Sequence, residues 1–238
     1  MASQPHRVHL LANKNAIITG GTTGIGRAIA LSFLRHGCSV TVNHLDLDRD
    51  KQHLDSLIAE ADTIRAEDPE AGRLSHLPGD VRQVETAASL VEHGVQHGGT
   101  GDSTSACRSS HGPPPIPAGG SIIGISSISA LVGGAQQTHY TPTKAGVLSL
   151  MQSTACALGK YSIRCNSLLP GTIRTQLNDE DLAVDAKREY MEGRIPLGRT
   201  GVPADLAGPA VFLASDELSG YVTGAQLLVD GGLFVNLQ

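Results

Sequence analysis

Short runs of apolar, often β-branched residues alternate with longer amphipathic segments along most of this chain. Apolar runs of about four to eight residues are typical of buried strands. Apolar residues that recur at helical spacing are typical of helices that pack through one face. A regular alternation of the two predicts an α/β domain with a parallel sheet.

The alternation predicts strands over residues 16–19, 39–43, 73–77, 122–125, 164–169 and 225–229. It predicts helices over residues 27–36, 50–67, 84–93, about 137–159 and 203–214. The polar stretch 172–199 is predicted to form a mobile lid or a pair of helices that faces a substrate. We therefore predict a Rossmann-type, doubly wound parallel sheet in a single domain of residues 1–238.

The alternation stops in the Gly/Ser/Pro-rich segment 98–120. This segment has six glycines, four serines and four prolines, and Ile116 is its one large apolar residue. Such a composition buries too little apolar surface to order a strand and a helix. A structureless stretch of this length is also unusual inside a compact domain. We interpret it as a place where elements are missing, with a flexible insertion as the alternative.

A glycine-rich turn separates the first predicted strand from the first predicted helix. Gly20, Gly24 and Gly26 follow Thr19 in the spacing T-G-x-x-x-G-x-G. Glycines allow backbone N–H groups to approach a pyrophosphate, and the helix N-terminus adds a favourable partial charge. The position of the turn therefore predicts nucleotide binding, although an ordinary glycine-rich turn is the simpler alternative.

Residues that follow the second and third predicted strands are candidates to bind the adenosine half of a nucleotide. An acidic residue at the end of the second strand favours NAD, whereas arginine favours NADP. The strand ends at Asn43, and Asp46 comes two residues late, so either cofactor remains open. Asp80 and Val81 follow the third strand and are candidates to contact adenine; Asp80 could equally serve as a helix N-cap.

The stretch from Ser121 to Lys144 carries candidate acid–base chemistry. Tyr140 and Lys144 are four residues apart at the head of a predicted helix, which places them on one face. A tyrosine loses its proton near pH ~10, and a neighbouring cation lowers that pKa. Ser127 follows the strand 122–125 and could hold a substrate oxygen beside the phenol. These three side chains could transfer a proton. The reaction then also needs a partner that accepts or donates a hydride.

Composition narrows the classes of function. The net charge is −5 without a Lys/Arg block, which argues against a nucleic-acid partner. No secretory signal or run of apolar residues long enough for a membrane span is visible, and the four cysteines form no Cys-x-x-Cys pair. These features predict a cytoplasmic protein with reduced thiols. The ten histidines are scattered without metal-ligand spacing, so no metal is expected.

Three separated signals agree: Thr19-Gly20-x3-Gly24-x-Gly26, Ser127, and Tyr140-x3-Lys144. Together they resemble the short-chain dehydrogenase/reductase family. Further matches follow in Pro170-Gly171-Thr172-Ile173-x-Thr175 and in Val229-Asp230-Gly231-Gly232. The resemblance covers residues 15–97 and 120–238.

The resemblance implies roles for single residues. Tyr140 would be the catalytic acid and base, Lys144 would lower its pKa and touch the nicotinamide ribose, and Ser127 would polarise the substrate oxygen. Ser129 is a candidate helper, although an ordinary polar turn residue is the more common reading. Cofactor contacts are implied for Gly20, Gly24, Ile25, Gly26, Asn43, Asp80, Val81, Tyr140, Lys144, Pro170, Gly171, Ile173 and Thr175.

The family also implies elements that this chain lacks. Between residues 98 and 120 its members have a strand at the centre of the sheet, an Asn-Ala-Gly turn and a helix with a catalytic asparagine. No asparagine occurs between Asn43 and Asn166. We therefore expect one central strand and the following helix to be missing, in an aberrant splice form or gene model or in a degenerate member of the family.

The stretch 124–144 and the tail from Asp230 are similar to the fungal L-rhamnose 1-dehydrogenases, a subgroup of that family. This similarity implies oxidation of the anomeric hydroxyl of a sugar to a lactone with NAD or NADP, in a homo-oligomer. Two alternatives stay open. One is a catalytically impaired or non-catalytic nucleotide-binding form, and the other is a reductase of another small carbonyl substrate.

Overall fold

A computed structural model describes residues 8–97 and 119–236 of the chain. The chain divides into two compact units, Met1–Thr104 and Ser105–Gln238. Most of the predicted segment 98–120 lies outside the described residues; its last residue, Gly120, begins a strand.

The first unit is an alternation of strands and helices. Its elements are β1 (Asn15–Thr19), α1 (Gly24–Arg35), β2 (Ser39–His44), α2 (Asp48–Glu67), β3 (Leu74–Pro78) and α3 (Val84–His97). The strands form a parallel sheet in the order β1-β2-β3. Parallel strands need a crossover connection, and α1 and α2 supply the two crossovers.

The core of this unit is aliphatic, because the chain has no tryptophan and few other aromatic residues. Leu34 of α1, Leu57 of α2, and Val40 and Val42 of β2 are all nearly or fully buried. Cys38 is buried with them, and this burial raises the pKa of its thiol to about 12.

The second unit repeats the alternation with a longer excursion between its last two strands. Its elements are β4 (Gly120–Ile125), α4 (Tyr140–Leu158), β5 (Ile163–Pro170), α5 (Asp179–Leu182), α6 (Asp185–Gly193), α7 (Ala204–Ala214), α8 (Asp216–Ser219) and β6 (Gln226–Val229). The strands are parallel in the order β4-β5-β6. The predicted helix pair in 172–199 is α5 and α6.

A buried arginine joins three parts of the second unit. Arg164 of β5 donates to the carbonyl of Leu213 at 2.8 Å, to Ser219 Oγ at 2.9 Å and to Asp216 Oδ1 at 3.0 Å. A buried guanidinium is tolerated only when its donors are satisfied. The end of α7 and helix α8 are therefore fastened to the central strand of this sheet.

The predicted α/β fold with parallel strands is confirmed, and most boundaries shift by one to three residues. The helix expected from about residue 137 begins at Tyr140, because a turn in which Tyr140 N–H donates to the Gln137 carbonyl precedes it. Pro142 then lies in the first helical turn, where its missing N–H costs no helical hydrogen bond. In the described part of the chain, no helix is long and apolar enough to cross a membrane.

The sheets end where the sequence suggests that elements are missing. Among the described residues, β1 has β2 as its one neighbouring strand and β4 has β5. Each is therefore an edge strand of a three-stranded sheet within the described part of the chain. An edge strand leaves one row of backbone N–H and C=O groups without a ladder partner.

The start of α7 generates a prediction about acid stability. Asp205 accepts two hydrogen bonds from the Arg199 guanidinium, at 2.7 and 2.8 Å, and one from Val202 N–H at 2.8 Å. These bonds lower the pKa of Asp205 to about 2. A carboxyl with a lowered pKa stabilises the folded state above its unfolded pKa of ~4, and the contribution disappears as the pH falls to about 2.

We therefore expect Asp205→Asn to reduce the free energy of unfolding at pH 6 by about 1 kcal/mol or less, because part of the pair is exposed. The difference should shrink as the pH approaches 2, which urea titrations at several pH values measure. Asp185→Asn is the control, since Asp185 is 77% exposed and receives one bond from Arg188. A difference that does not depend on pH would contradict the assignment.

Candidate active site

The glycine turn between β1 and α1 leaves room for a ligand. Gly20 and Gly24 have φ angles of +62° and +53°, which side-chain-bearing residues rarely adopt. A Cβ at Gly26 would collide with the carbonyl oxygen of Gly20, whereas a Cβ at Gly20 would meet nothing within 4 Å. The turn is thus folded tightly on itself and open on its Gly20 side.

The first turn of α1 has backbone N–H groups that are available to bind an anion. Thr23, at the N-cap, makes no side-chain capping bond, and the first turn carries no acidic residue. The first N–H groups of a helix lack intrahelical partners and attract negative charge. The open turn and this helix terminus fit a pyrophosphate, and Gly20, Gly24, Ile25 and Gly26 are the residues that would hold it.

Asn43 and Asp80 are engaged within the first unit. The buried Asn43 amide donates to the carbonyls of Leu77 at 3.3 Å and Gly79 at 2.9 Å, which ties the end of β2 to the loop after β3. Asp80 accepts from the backbone N–H of Arg82 at 2.9 Å and from its guanidinium, and these bonds lower the pKa of Asp80.

The N-cap alternative for Asp80 is wrong, because α3 begins at Val84 and Asp80 instead closes the turn before it. The neighbouring Val81 is 48% exposed and available to a planar ligand.

In the second unit, two hydrogen bonds of opposite direction join α4 to the end of β4. Lys144 Nζ donates to the carbonyl of Ile125 at 3.0 Å, and Ser126 Oγ donates to the carbonyl of Lys144 at 2.7 Å. Half-burial lowers the pKa of Lys144, because desolvation disfavours the charged ammonium. The strand end and the helix are therefore held in one register.

The same lysine lies next to Tyr140, as the spacing of four residues predicts. Lys144 Nζ is 5.5 Å from the centroid of the Tyr140 ring, within the range of a cation–π contact. The tyrosine side chain is 37% exposed at the start of α4. A cation is thus fixed beside a phenol that solvent or a ligand can reach.

Ser127 occupies the turn between β4 and α4. Its Oγ accepts the backbone N–H of Ser129 at 3.1 Å at the start of the 3₁₀ turn Ile128–Ala130, which packs against α4. An accepting hydroxyl still has its own hydrogen to donate. Ser127 can therefore donate to a ligand oxygen while the turn holds it in place.

Gln137 is a site residue that sequence reasoning missed. Ser129 Oγ donates to Gln137 Oε1 at 3.1 Å, and the Gln137 carbonyl accepts Tyr140 N–H at 2.9 Å. A chain of hydrogen bonds therefore runs from Ser127 through Ser129 and Gln137 to the turn that carries Tyr140. No local pattern signals this pairing.

The loop after β5 is shaped by a second missed residue, Asn178. Its amide group donates to the carbonyl of Ile173 at 2.9 Å, and its Oδ1 accepts Thr175 N–H at 2.8 Å. Ile173 is buried and pairs with Gly201 in an isolated bridge. A Cβ at Gly171 would lie 2.6 Å from Asp230 Cβ, so the glycine after Pro170 permits close approach of the C-terminal segment.

Comparison with known proteins places this geometry in a family. Residues 14–103 match the family described as short chain dehydrogenase, and residues 101–234 match the family described as enoyl-(acyl carrier protein) reductase. An L-rhamnose-1-dehydrogenase of Scheffersomyces stipitis is 52% identical over 262 residues, covering 96% of this chain and 99% of that protein. An L-rhamnose 1-dehydrogenase (NAD(P)(+)) of Azotobacter vinelandii is 45% identical, covering 96% and 100%.

The first of these alignments also bears on the missing elements. It spans 262 residues, which exceeds the 238 residues of this chain. The Scheffersomyces protein therefore contains residues that have no counterpart here.

Solved structures agree with the sequence relatives. A short-chain type dehydrogenase/reductase from Mycobacterium marinum aligns with a TM-score of 0.75 at 26% identity, covering 95% of this chain and 97% of that chain. A short-chain dehydrogenase/reductase from Brucella melitensis, described as a glucose/ribitol dehydrogenase, aligns with a TM-score of 0.76 at 23% identity, covering 95% of this chain and 99% of that chain. The motifs, the relatives and the fold agree: this chain belongs to the short-chain dehydrogenase/reductase family.

Proposed function

We propose that the chain is an NAD(P)-dependent sugar dehydrogenase that oxidises the anomeric hydroxyl of an aldose such as L-rhamnose to the lactone. The observation that carries the proposal is the position of Lys144, bonded to the end of β4 and beside the Tyr140 ring. The names of the relatives from Scheffersomyces and Azotobacter support the sugar as substrate.

In this proposal the Tyr140 phenolate takes the proton of the anomeric hydroxyl, because Lys144 stabilises the charged form. Ser127 donates its hydroxyl hydrogen to the same substrate oxygen and orients it. NAD(P) would accept the hydride that leaves the anomeric carbon. The bond that forms is the carbonyl of the lactone, and the proton passes from Tyr140 to solvent.

The cofactor is proposed to lie along the residues that the sequence marks. Gly20, Gly24, Ile25 and Gly26 would bind the pyrophosphate, Asp80 and Val81 the adenine, and Pro170, Gly171, Ile173 and Thr175 the nicotinamide. Asn43 contributes indirectly in this proposal, by fixing the loop that carries Asp80. We further propose a single dehydrogenase domain that works in the cytoplasm as a homo-oligomer, without nucleic acid or membrane partners.

A second candidate function is supported by a separate observation. Edge strands β1 and β4 and the surplus residues of the Scheffersomyces relative both fit the loss of a central strand and helix. A chain that keeps the glycine turn without an intact sheet would bind nucleotides and not turn over. This candidate is a catalytically impaired form of the same enzyme.

Restoring the missing segment separates the two candidates. Native stability is about 5–15 kcal/mol, so the loss of a buried strand and helix should exceed it. We expect the chain as written to be poorly soluble, with little or no NAD(P) reduction on a panel of aldoses. Replacement of residues 98–118 by the corresponding segment of the Scheffersomyces relative should recover solubility and activity. A cooperative melt and full turnover by the unmodified chain would show that the segment is a tolerated linker.

The catalytic assignment is tested in the restored chain. Tyr140→Phe should lower turnover by at least about 10²-fold and leave the cofactor dissociation constant nearly unchanged, because the phenol acts in proton transfer. Lys144→Met should lower turnover and should also weaken cofactor binding. Tyr161→Phe is the matched control, since Lys160 Nζ lies 5.0 Å from the Tyr161 ring in a similar pair. Near-normal rates for Tyr140→Phe would refute the proposed base.

The glycine turn is tested by adding one methyl group. Gly26→Ala should weaken NAD(P) binding in calorimetry and lower the free energy of unfolding by about 1–3 kcal/mol, because its Cβ meets the Gly20 carbonyl. Gly208→Ala in α7 should instead be neutral or stabilising by up to about 1 kcal/mol, since its Cβ meets nothing within 4 Å. Equal effects of the two changes would argue against a tight turn.

A further inference from the structure

Two histidines pair where strands β2 and β3 approach their carboxyl ends. His44 Nε2 lies 3.2 Å from His76 Nδ1, and the ring centroids are 5.3 Å apart. His44 is buried, whereas His76 is exposed. The catalytic proposal does not use this pair.

Backbone chemistry decides which nitrogens of the pair carry hydrogen. The N–H of Asp46 donates to His44 Nδ1 at 3.3 Å, so Nδ1 is an acceptor and His44 carries its hydrogen on Nε2. His44 Nε2–H then donates to His76 Nδ1, which leaves the hydrogen of His76 on its Nε2. The hydrogen bonds therefore run in one direction, from the Asp46 N–H through His44 to the exposed imidazole of His76.

The pair lies on the face of the sheet that supports the glycine turn. A Cβ at Gly21 would lie 2.5 Å from Val42 Cγ1, so the turn rests on Val42. His76 is the register partner of Val42, and His44 is two residues further along β2 on the same face. Gly21 N–H also approaches the carbonyl of Asn43 at 3.4 Å. The glycine turn and the histidine pair therefore lie on one face of the β1-β2-β3 sheet.

Neither histidine of this pair can accept a further proton without losing a hydrogen bond. Both acceptor nitrogens, His44 Nδ1 and His76 Nδ1, already receive hydrogen bonds, so protonation breaks one of them. Burial and the neighbouring His76 lower the pKa of His44, while the carboxylates of Asp46 and Asp50 oppose that shift. Asp46 has a φ of +30°, a strained conformation that the bond to His44 helps to maintain.

We propose that His44 and His76 form a proton-linked subsite for the 2′-phosphate of NADP, so that NADP binds with proton uptake and NAD binds without it. This inference rests on the proposed nucleotide site. At the end of the second strand an acidic residue favours NAD and a fixed cation favours NADP. A histidine pair is a cation only when protonated, and the phosphate dianion supplies the charge that makes protonation favourable. Asp46 accompanies the neutral pair and suits the ribose diol of NAD.

Calorimetry with nucleotide fragments tests the subsite without catalysis. The full chain, as written and with the restored segment, is titrated with 5′-ADP and 2′,5′-ADP at pH 7.5 in two buffers of different ionisation enthalpy. Binding of 2′,5′-ADP should take up most of one proton, and binding of 5′-ADP should take up less. Between pH 8.5 and 7 the affinity for 2′,5′-ADP should rise by up to about tenfold per pH unit relative to 5′-ADP.

Variants locate the proton. His76→Gln keeps hydrogen-bonding groups at an exposed position but cannot be charged, so it should abolish the proton uptake with 2′,5′-ADP and leave 5′-ADP binding unchanged. His36→Gln, in the same unit, replaces a partly buried histidine whose Nδ1 contacts the Val8 carbonyl, and it should change neither the proton uptake nor the binding of 5′-ADP. Proton uptake that survives in His76→Gln, or 2′,5′-ADP binding without uptake in the unmodified protein, overturns the proposal. Binding of neither fragment overturns the nucleotide site together with it.

Discussion

The hydrogen bond from Lys144 to the carbonyl of Ile125 is the contact on which the candidate catalytic group depends. It satisfies a half-buried ammonium with a backbone acceptor at 3.0 Å, and Ser126 returns a bond to the Lys144 carbonyl. Since Tyr140 is on the same helix face, the strand end also positions the stretch of backbone that carries the phenol. A lysine used in this way is both a support of the fold and a source of charge, so these two roles cannot be separated by one substitution.

An open sheet is the second constraint on this protein. In the described residues each sheet has three strands, and β1 and β4 each have a single strand neighbour. The local elements nevertheless form with normal crossovers, because βα units depend mostly on neighbouring segments. Carrying the family motifs is therefore a different property from being able to fold. The motifs persist in short stretches of sequence, whereas folding depends on a continuous sheet.

Sequence patterns predicted the strands and the Tyr140–Lys144 contact because both follow from fixed local periods. They placed the start of α4 three residues early, since the turn at Gln137 has no hydrophobic signal. The links from Ser129 to Gln137 and from His44 to His76 were missed, because they join segments through a turn or through strand register. The N-cap alternative for Asp80 failed for a related reason: an aspartate bonds two residues ahead as readily as it caps a helix.

Because Cys38 is buried, its alkylation would report the opening of the unit that contains it. A thiol with a pKa of about 12 is almost never a thiolate near neutral pH, and the thiolate is the reactive species. Cys165 is likewise buried in the other unit, whereas Cys156 is exposed. Alkylation kinetics at these three described thiols would therefore time the opening of each unit separately, with Cys156 as the internal standard of reagent access.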